Sequence, residues 1–139
     1  MKPSKATMGN RKKLVLWIEK NLCKPICKLK ANHKCELCHS DGKAHQLHAH
    51  HIEGKQTYYM RTNLDNLVCL CASCHAYGVH SDIYSVSSKT LKKLSDYIGP
   101  ERMERLAKGR HDPLKAKMPL GEVVDLYEEL SFLLEKTST

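Results

Sequence analysis

Apolar positions along this chain change period several times, and each change marks a boundary between elements. Residues 1–9 show no apolar periodicity, which predicts a disordered basic tail. From Asn10 the period becomes helical. Leu14, Ile18 and Leu22 recur every four residues with Trp17 beside them, Asn10 can cap the first turn, and Pro25 breaks or restarts the helix. Ile26 and Leu29 suggest a further short turn. Residues 46–52 partly alternate and read as a strand, 53–55 as a turn, and 56–62 as a second strand or a loop. Residues 63–66 form a polar turn and 67–70 a short buried stretch; a helix then opens at 71–75, which Gly78 ends or distorts. The remainder is helical. Segments 90–98 and 100–108 are helix candidates, the second with Pro100 in its first turn and Gly109 at its end. After a linker holding Pro113 and Pro119, the residues Val123, Leu126, Tyr127, Leu130, Leu133 and Leu134 form an amphipathic stripe.

These periods divide the chain into a tail over 1–9, a core with an N-terminal helix over 10–88, and a C-terminal helical extension over 89–139. A length of 139 residues suits one compact domain with a helical appendage. No apolar run approaches the roughly 20 residues that a membrane span needs, and the first residues lack the apolar centre of a signal peptide. No membrane association and a cytoplasmic location are therefore expected. Seven cysteines in a reducing compartment read as metal ligands and buried thiols rather than as disulfides.

The net charge of +8 is unevenly spread. Ten cationic residues in 1–34 (Lys2, Lys5, Arg11, Lys12, Lys13, Lys20, Lys24, Lys28, Lys30 and Lys34) face Glu19 alone, whereas 119–139 hold Glu122, Asp125, Glu128, Glu129 and Glu135 against Lys136. A basic front end suits a polyanion, because neutralised phosphates release counterions. Charge alone would equally describe a solvated lysine-rich surface.

Four cysteines carry the sharpest chemistry. Cys35-Glu36-Leu37-Cys38, followed by Ser40-Asp41-Gly42, has the form of a zinc knuckle, and Cys71-Ala72-Ser73-Cys74 supplies a second pair. Two such pairs can hold a structural Zn²⁺ in a closed tetrahedron, whereas a redox dithiol needs only one. The 32 residues between Cys38 and Cys71 (71 − 38 − 1) exceed common zinc-ribbon spacing, and they hold His50, His51 and Asn66. The zinc thus clamps the two ends of a polar insert. Cys69 reads as a core thiol, and Cys23 with Cys27 as buried thiols lacking a matching pair.

The run His48-Ala49-His50-His51-Ile52, with Asn66-Leu67-Val68-Cys69-Leu70 leading into Cys71, Cys74 and His75, resembles the HNH endonuclease motif, in particular its zinc-stapled, phage-type members. The likeness covers about residues 35–80. It implies an α+β fold with a small ββα-metal core: two antiparallel strands, the first bearing His50 and His51, packed on a helix starting near His75. It further implies His51 as general base, His50 and His75 as ligands of one catalytic divalent cation, and Asn66 as the middle residue. Asn66 would hold the loop or bond the far nitrogen of His51. His80, five residues past His75, is a further candidate ligand. Glu53-Gly54 stand where the family commonly has proline.

A neutral imidazole can take a proton from water at neutral pH, and a divalent cation can neutralise charge developing on phosphate. Two imidazoles suit Zn²⁺, Ni²⁺ or Mn²⁺ better than Mg²⁺, although HNH enzymes often use Mg²⁺. The resemblance implies a DNA substrate, cleavage to 5′-phosphate and 3′-hydroxyl ends, phage or prophage coding, and phage packaging or recombination proteins as further partners. Arg61, Lys55, Arg11, Lys12, Lys13 and His48 are the candidate DNA contacts; His48 shares the face of His50 and can also serve as a neighbour of the ligands. On a regular strand His50 and His51 point to opposite faces, so the strand must end or bulge there. The rival reading is a non-catalytic zinc module that binds DNA, and an RNA-directed enzyme is a third.

Overall fold

The computed structural model describes residues 2–41, 46–75 and 94–138. Within them α1 (Lys5–Met8) and α2 (Arg11–Ile18) lead through a π turn (Glu19–Cys23) into α3 (Lys24–Lys30). Strand β1 (Leu47–His51), α4 (Tyr58–Thr62), a 3₁₀ turn (Leu64–Asn66) and β2 (Leu67–Cys71) follow. Helices α5 (Leu94–Ile98), α6 (Pro100–His111), α7 (Pro113–Ala116) and α8 (Leu120–Ser138) complete the chain. The architecture is α+β: a two-stranded antiparallel sheet set among helices.

Strands β1 and β2 pair with Leu47 opposite Cys71, Ala49 opposite Cys69 and His51 opposite Leu67. All five residues of β2 are buried, which is why their sequence runs apolar without alternation. Leu14, Val15 and Ile18 of α2, with Ile26 of α3, pack in one core with β2, and Val123 and Leu130 of α8 close it. Trp17 meets the edge of Tyr127 with ring centres 5.6 Å apart, so the amphipathic stripe of α8 is keyed to α2 there. No helix among the described residues is long and apolar enough to cross a membrane.

Three local expectations change, and one alternative is decided. Residues 1–9 are not all disordered: Ser4 Oγ accepts from Thr7 N at 3.1 Å and starts α1. So short a helix depends on its cap rather than on apolar period, and periodicity is blind to it. Pro25 restarts the helix rather than breaking it, standing in the first turn of α3. The π turn widens the backbone just before it, which relieves the clash and missing donor that proline brings to a regular helix interior. Residues 56–62 are neither strand nor plain loop, because Thr57 Oγ1 accepts from Met60 N at 3.1 Å and caps α4. Gly109 does not end α6, which runs on to His111. A Cβ there would stand 3.2 Å from Tyr59 Cε2, so this glycine serves close packing rather than termination. Of the helix expected over 90–98, only Leu94–Ile98 is described, and Gly78 lies outside the described residues.

The C-terminal helices dock on the sheet through polar bonds. Glu36, inside the first Cys-x-x-Cys turn, accepts from Cys69 N at 2.6 Å and from Tyr97 Oη at 2.7 Å. Arg102 donates to the main-chain oxygens of Asp65 at 2.9 Å and Leu67 at 3.0 Å, and Arg105 clamps the Asp65 carboxylate at 2.7 and 3.1 Å. That clamp holds the Asp65 carboxyl below the usual carboxylate range.

Candidate functional site

Cys35, Cys38, Cys71 and Cys74 bring their four sulfurs within 4.8 Å of one another. The first pair comes from the knuckle, where Cys35 N bonds Ser40 O at 2.8 Å and His39 takes a positive φ of 65° to close the turn. The second pair stands at the end of β2 and in the helical backbone of 72–75. Cys38 Sγ and Cys71 Sγ are 3.7 Å apart. A tetrahedral zinc with bonds of about 2.3 Å separates its sulfurs by about 3.8 Å, which the Cys38–Cys71 pair matches.

Thiol acidity sets Cys38 apart from the core cysteines, while burial raises the pKa of its partner Cys35. Burial disfavours the Cys38 thiolate, but bonds from the Ser40 hydroxyl and amide, and from Cys35 and Cys74, outweigh it and draw Cys38 down to about 7. Burial pushes Cys23 and Cys27 up to about 12 and Cys69 up to about 11. These three are inert core thiols, as their sequence setting suggested.

The histidines divide between the two faces of β1. His48 and His50 share one face, and both reach His75: the His50 ring lies edge-on at 5.0 Å between centres, the His48 ring stacked at 5.3 Å. Two imidazoles on one divalent ion, with bonds of about 2.1 Å, place their ring centres about 5 Å apart, so His50 and His75 fit such an ion. His48 stands with these two candidate ligands. Among the described residues the four cysteines are the one set of three or more ligand atoms already mutually close, so His48 is a ring against His75 rather than a preformed third ligand. His80 and His45 lie outside the described residues.

His51 is the last residue of β1, on the face opposite His50, and the chain turns at 52–53. Its Nε2 lies 3.0 Å from the main-chain oxygen of Arg61. A carbonyl only accepts, so Nε2 carries the hydrogen and Nδ1 keeps its lone pair. Burial lowers the His51 pKa, against the raising effects of the Arg61 carbonyl and Glu19, while Lys55 and Arg61 lower it further. The ring is therefore a neutral imidazole with one basic nitrogen at physiological pH.

The carbonyl that fixes this tautomer belongs to the last turn of α4, where helical geometry leaves oxygens without partners. Three side chains from elsewhere satisfy three of them. Asn66 Nδ2 donates to Met60 O at 2.9 Å, His51 to Arg61 O, and Cys23 Sγ to Thr62 O at 3.5 Å. Asn66 also donates to Gly54 O at 2.8 Å and accepts from Glu53 N at 2.9 Å, and it is fully buried. Of its two expected roles, holding the loop is the one seen; the far nitrogen of His51 is taken by Arg61 O.

The expected DNA contacts fare unequally. Lys12, Lys13 and Lys55 are exposed. Arg11 also reaches the surface, but its guanidinium donates to Met118 O at 3.4 Å and lies 5.2 Å from the centre of the Tyr58 ring. Arg61 Nη1 donates to Glu19 Oε2 at 2.8 Å, and Glu19 is only 4% exposed. Glu19 is the residue that the sequence reading missed. Its signal was in view, since it is the single acid in the basic first 34 residues.

Residues 35–77 match the family model described as HNH endonuclease. No curated protein and no solved structure matches the chain.

Proposed function

We propose that this chain, with its HNH endonuclease match over 35–77 as the premise, is a metal-dependent DNA endonuclease that hydrolyses phosphodiester bonds. One observation carries the reading: a half-buried neutral imidazole, His51, is held with Nε2–H bonded and Nδ1 basic, one residue from the His50–His75 pair. His51 Nδ1 accepts the proton of the attacking water, and His50 and His75 would hold a divalent ion. When bound, the ion neutralises charge developing on the phosphate and on the departing 3′ oxygen. Asn66 fixes the loop that carries the His51 partner. Cys35, Cys38, Cys71 and Cys74 would hold a structural zinc that joins the two ends of this insert, with four thiolate ligands serving structure rather than substrate. Lys12, Lys13 and Lys55 contact phosphates, which gives binding a strong salt dependence without sequence preference. The 5′-phosphate and 3′-hydroxyl ends, phage coding, packaging or recombination partners and a host-cytoplasm location rest on the motif resemblance.

The test is cleavage of supercoiled plasmid with Mg²⁺, Mn²⁺, Ni²⁺ or Zn²⁺, comparing wild type with His51→Ala. Wild type yields nicked or linear product with at least one ion, and His51→Ala yields none while keeping its zinc and fold. Intact plasmid under every ion, with DNA still bound, would leave a zinc-stabilised DNA-binding module. A parallel RNA panel separates an RNA-directed enzyme.

A further inference from the structure

A buried acid from outside the HNH segment reaches the base through one intermediary. Glu19 opens the π turn between α2 and α3, well before residue 35. Its carboxylate accepts from Arg61 Nη1 at 2.8 and 3.4 Å, across 42 residues of sequence. The main chain of that same Arg61 accepts from His51 Nε2 at 3.0 Å. Cys23, at the other end of the π turn, reaches the next carbonyl, that of Thr62. The two ends of one π turn therefore grip the last turn of α4, a five-residue helix too short to hold itself. π turns inside helices are frequent at functional sites, and this one sets Glu19 toward Arg61 while α2 and α3 continue on either side.

We propose that Glu19 is a positioning residue for the base: its ion pair with Arg61 fixes the carbonyl that selects the Nε2–H tautomer of His51. The inference rests on the endonuclease reading for its kinetic arm, but its spectroscopic arm does not. It also reassigns Arg61, which the sequence offered as a phosphate contact, to an internal ion pair. An isolated buried carboxylate facing an arginine often adds little to stability, whereas fixing one geometry is a recognised use of such pairs. The groups facing His51 are Glu19 from the π turn, Arg61 from α4 and Lys55 from the intervening loop.

The test uses the full zinc-loaded chain and the near-isosteric Glu19→Gln. The ¹⁵N shifts of the His51 ring, at one pH where it is neutral, report the tautomer: Nε2–H alone in wild type, and a mixture with the Nδ1–H form in Glu19→Gln. In plasmid cleavage kcat falls about tenfold or more while KM for DNA stays within about twofold, the pattern of a lost transition-state alignment rather than lost binding. Should Glu19→Gln fail to fold, the double variant Glu19→Met with Arg61→Met removes the pair without leaving a buried charge, and the same tautomer mixture is expected. An unchanged tautomer and kcat overturn the proposal, whatever the melting temperature does. A rise in KM at constant kcat also overturns it and returns Arg61 to the DNA. If wild type cuts nothing, the function reading fails, and the tautomer comparison alone still decides the role of Glu19.

Discussion

Replacing Asn66 by alanine removes three bonds at once, from a residue with no solvent exposure. The bond to Met60 O is fully buried, so that carbonyl loses its partner where water cannot replace it, at a cost of about 1–3 kcal/mol. The bonds to Glu53 N and Gly54 O are only partly buried, and each contributes about 0.5–1.5 kcal/mol after rehydration. Together these predict a loss of about 2–6 kcal/mol. For a chain of this size each kcal/mol lowers Tm by about 3 °C, so a fall of about 6–18 °C is expected. Asn66→Asp separates bonding from shape. It keeps an acceptor for Glu53 N but turns an oxygen toward two carbonyl oxygens, so at pH 7 it should destabilise at least as much as alanine. The assay is urea and thermal unfolding of zinc-loaded protein, followed by circular dichroism. A loss below about 1 kcal/mol in Asn66→Ala, or wild-type stability in Asn66→Asp, would refute the assignment of those three bonds. Cleavage should fall further than stability requires, since the same loop carries the carbonyl that orients His51.

Metal removal should be felt throughout the fold: stripping zinc with a strong chelator, or Cys71→Ala, should abolish the cooperative melting transition, and an unchanged Tm in metal-free protein would contradict the staple. Zinc uptake should release protons, fewest from Cys38, whose thiol is already drawn down to about 7; a proton count on titration checks this. Gly54→Ala should cost about 1–2 kcal/mol, because φ is +85° there and a Cβ is disfavoured in that region; a stabilised variant in urea would count against it. The pH profile of cutting under saturating ion should hold its rate on acidification to below about 6.5, the ordinary histidine value, because burial lowers the His51 pKa. The sign for stability is the same: the unfolded chain takes up this proton before the folded one does, so keeping His51 neutral costs stability as pH falls below about 6.5. A profile falling already above pH 7 would show a base with a raised pKa instead.

The sequence by itself determined the chemistry that depends on residue type at short spacing. Two Cys-x-x-Cys turns imply a tetrahedral sulfur site wherever they meet, and the four sulfurs do meet. Alternation over 46–52 marks β1, and an unbroken apolar run over 67–70 marks a strand buried on both faces. The histidine pair and Asn66 were singled out through a resemblance to the HNH motif, and residues 35–77 match the family model described as HNH endonuclease. Only the tertiary structure decided what joins distant residues. Tyr58 and Tyr59 favour a strand by local preference, yet the Thr57 cap and the burial of Met60 and Thr62 make that stretch a helix. Arg61 carries a surface-like charge, yet folding brings it to a buried acid 42 residues away. His48 reads as an accessory on a strand until the start of the next helix lays His75 against it. Spacing encodes local geometry because the backbone has few conformations, whereas the partner of a side chain is set by which elements pack together, and no local pattern records that.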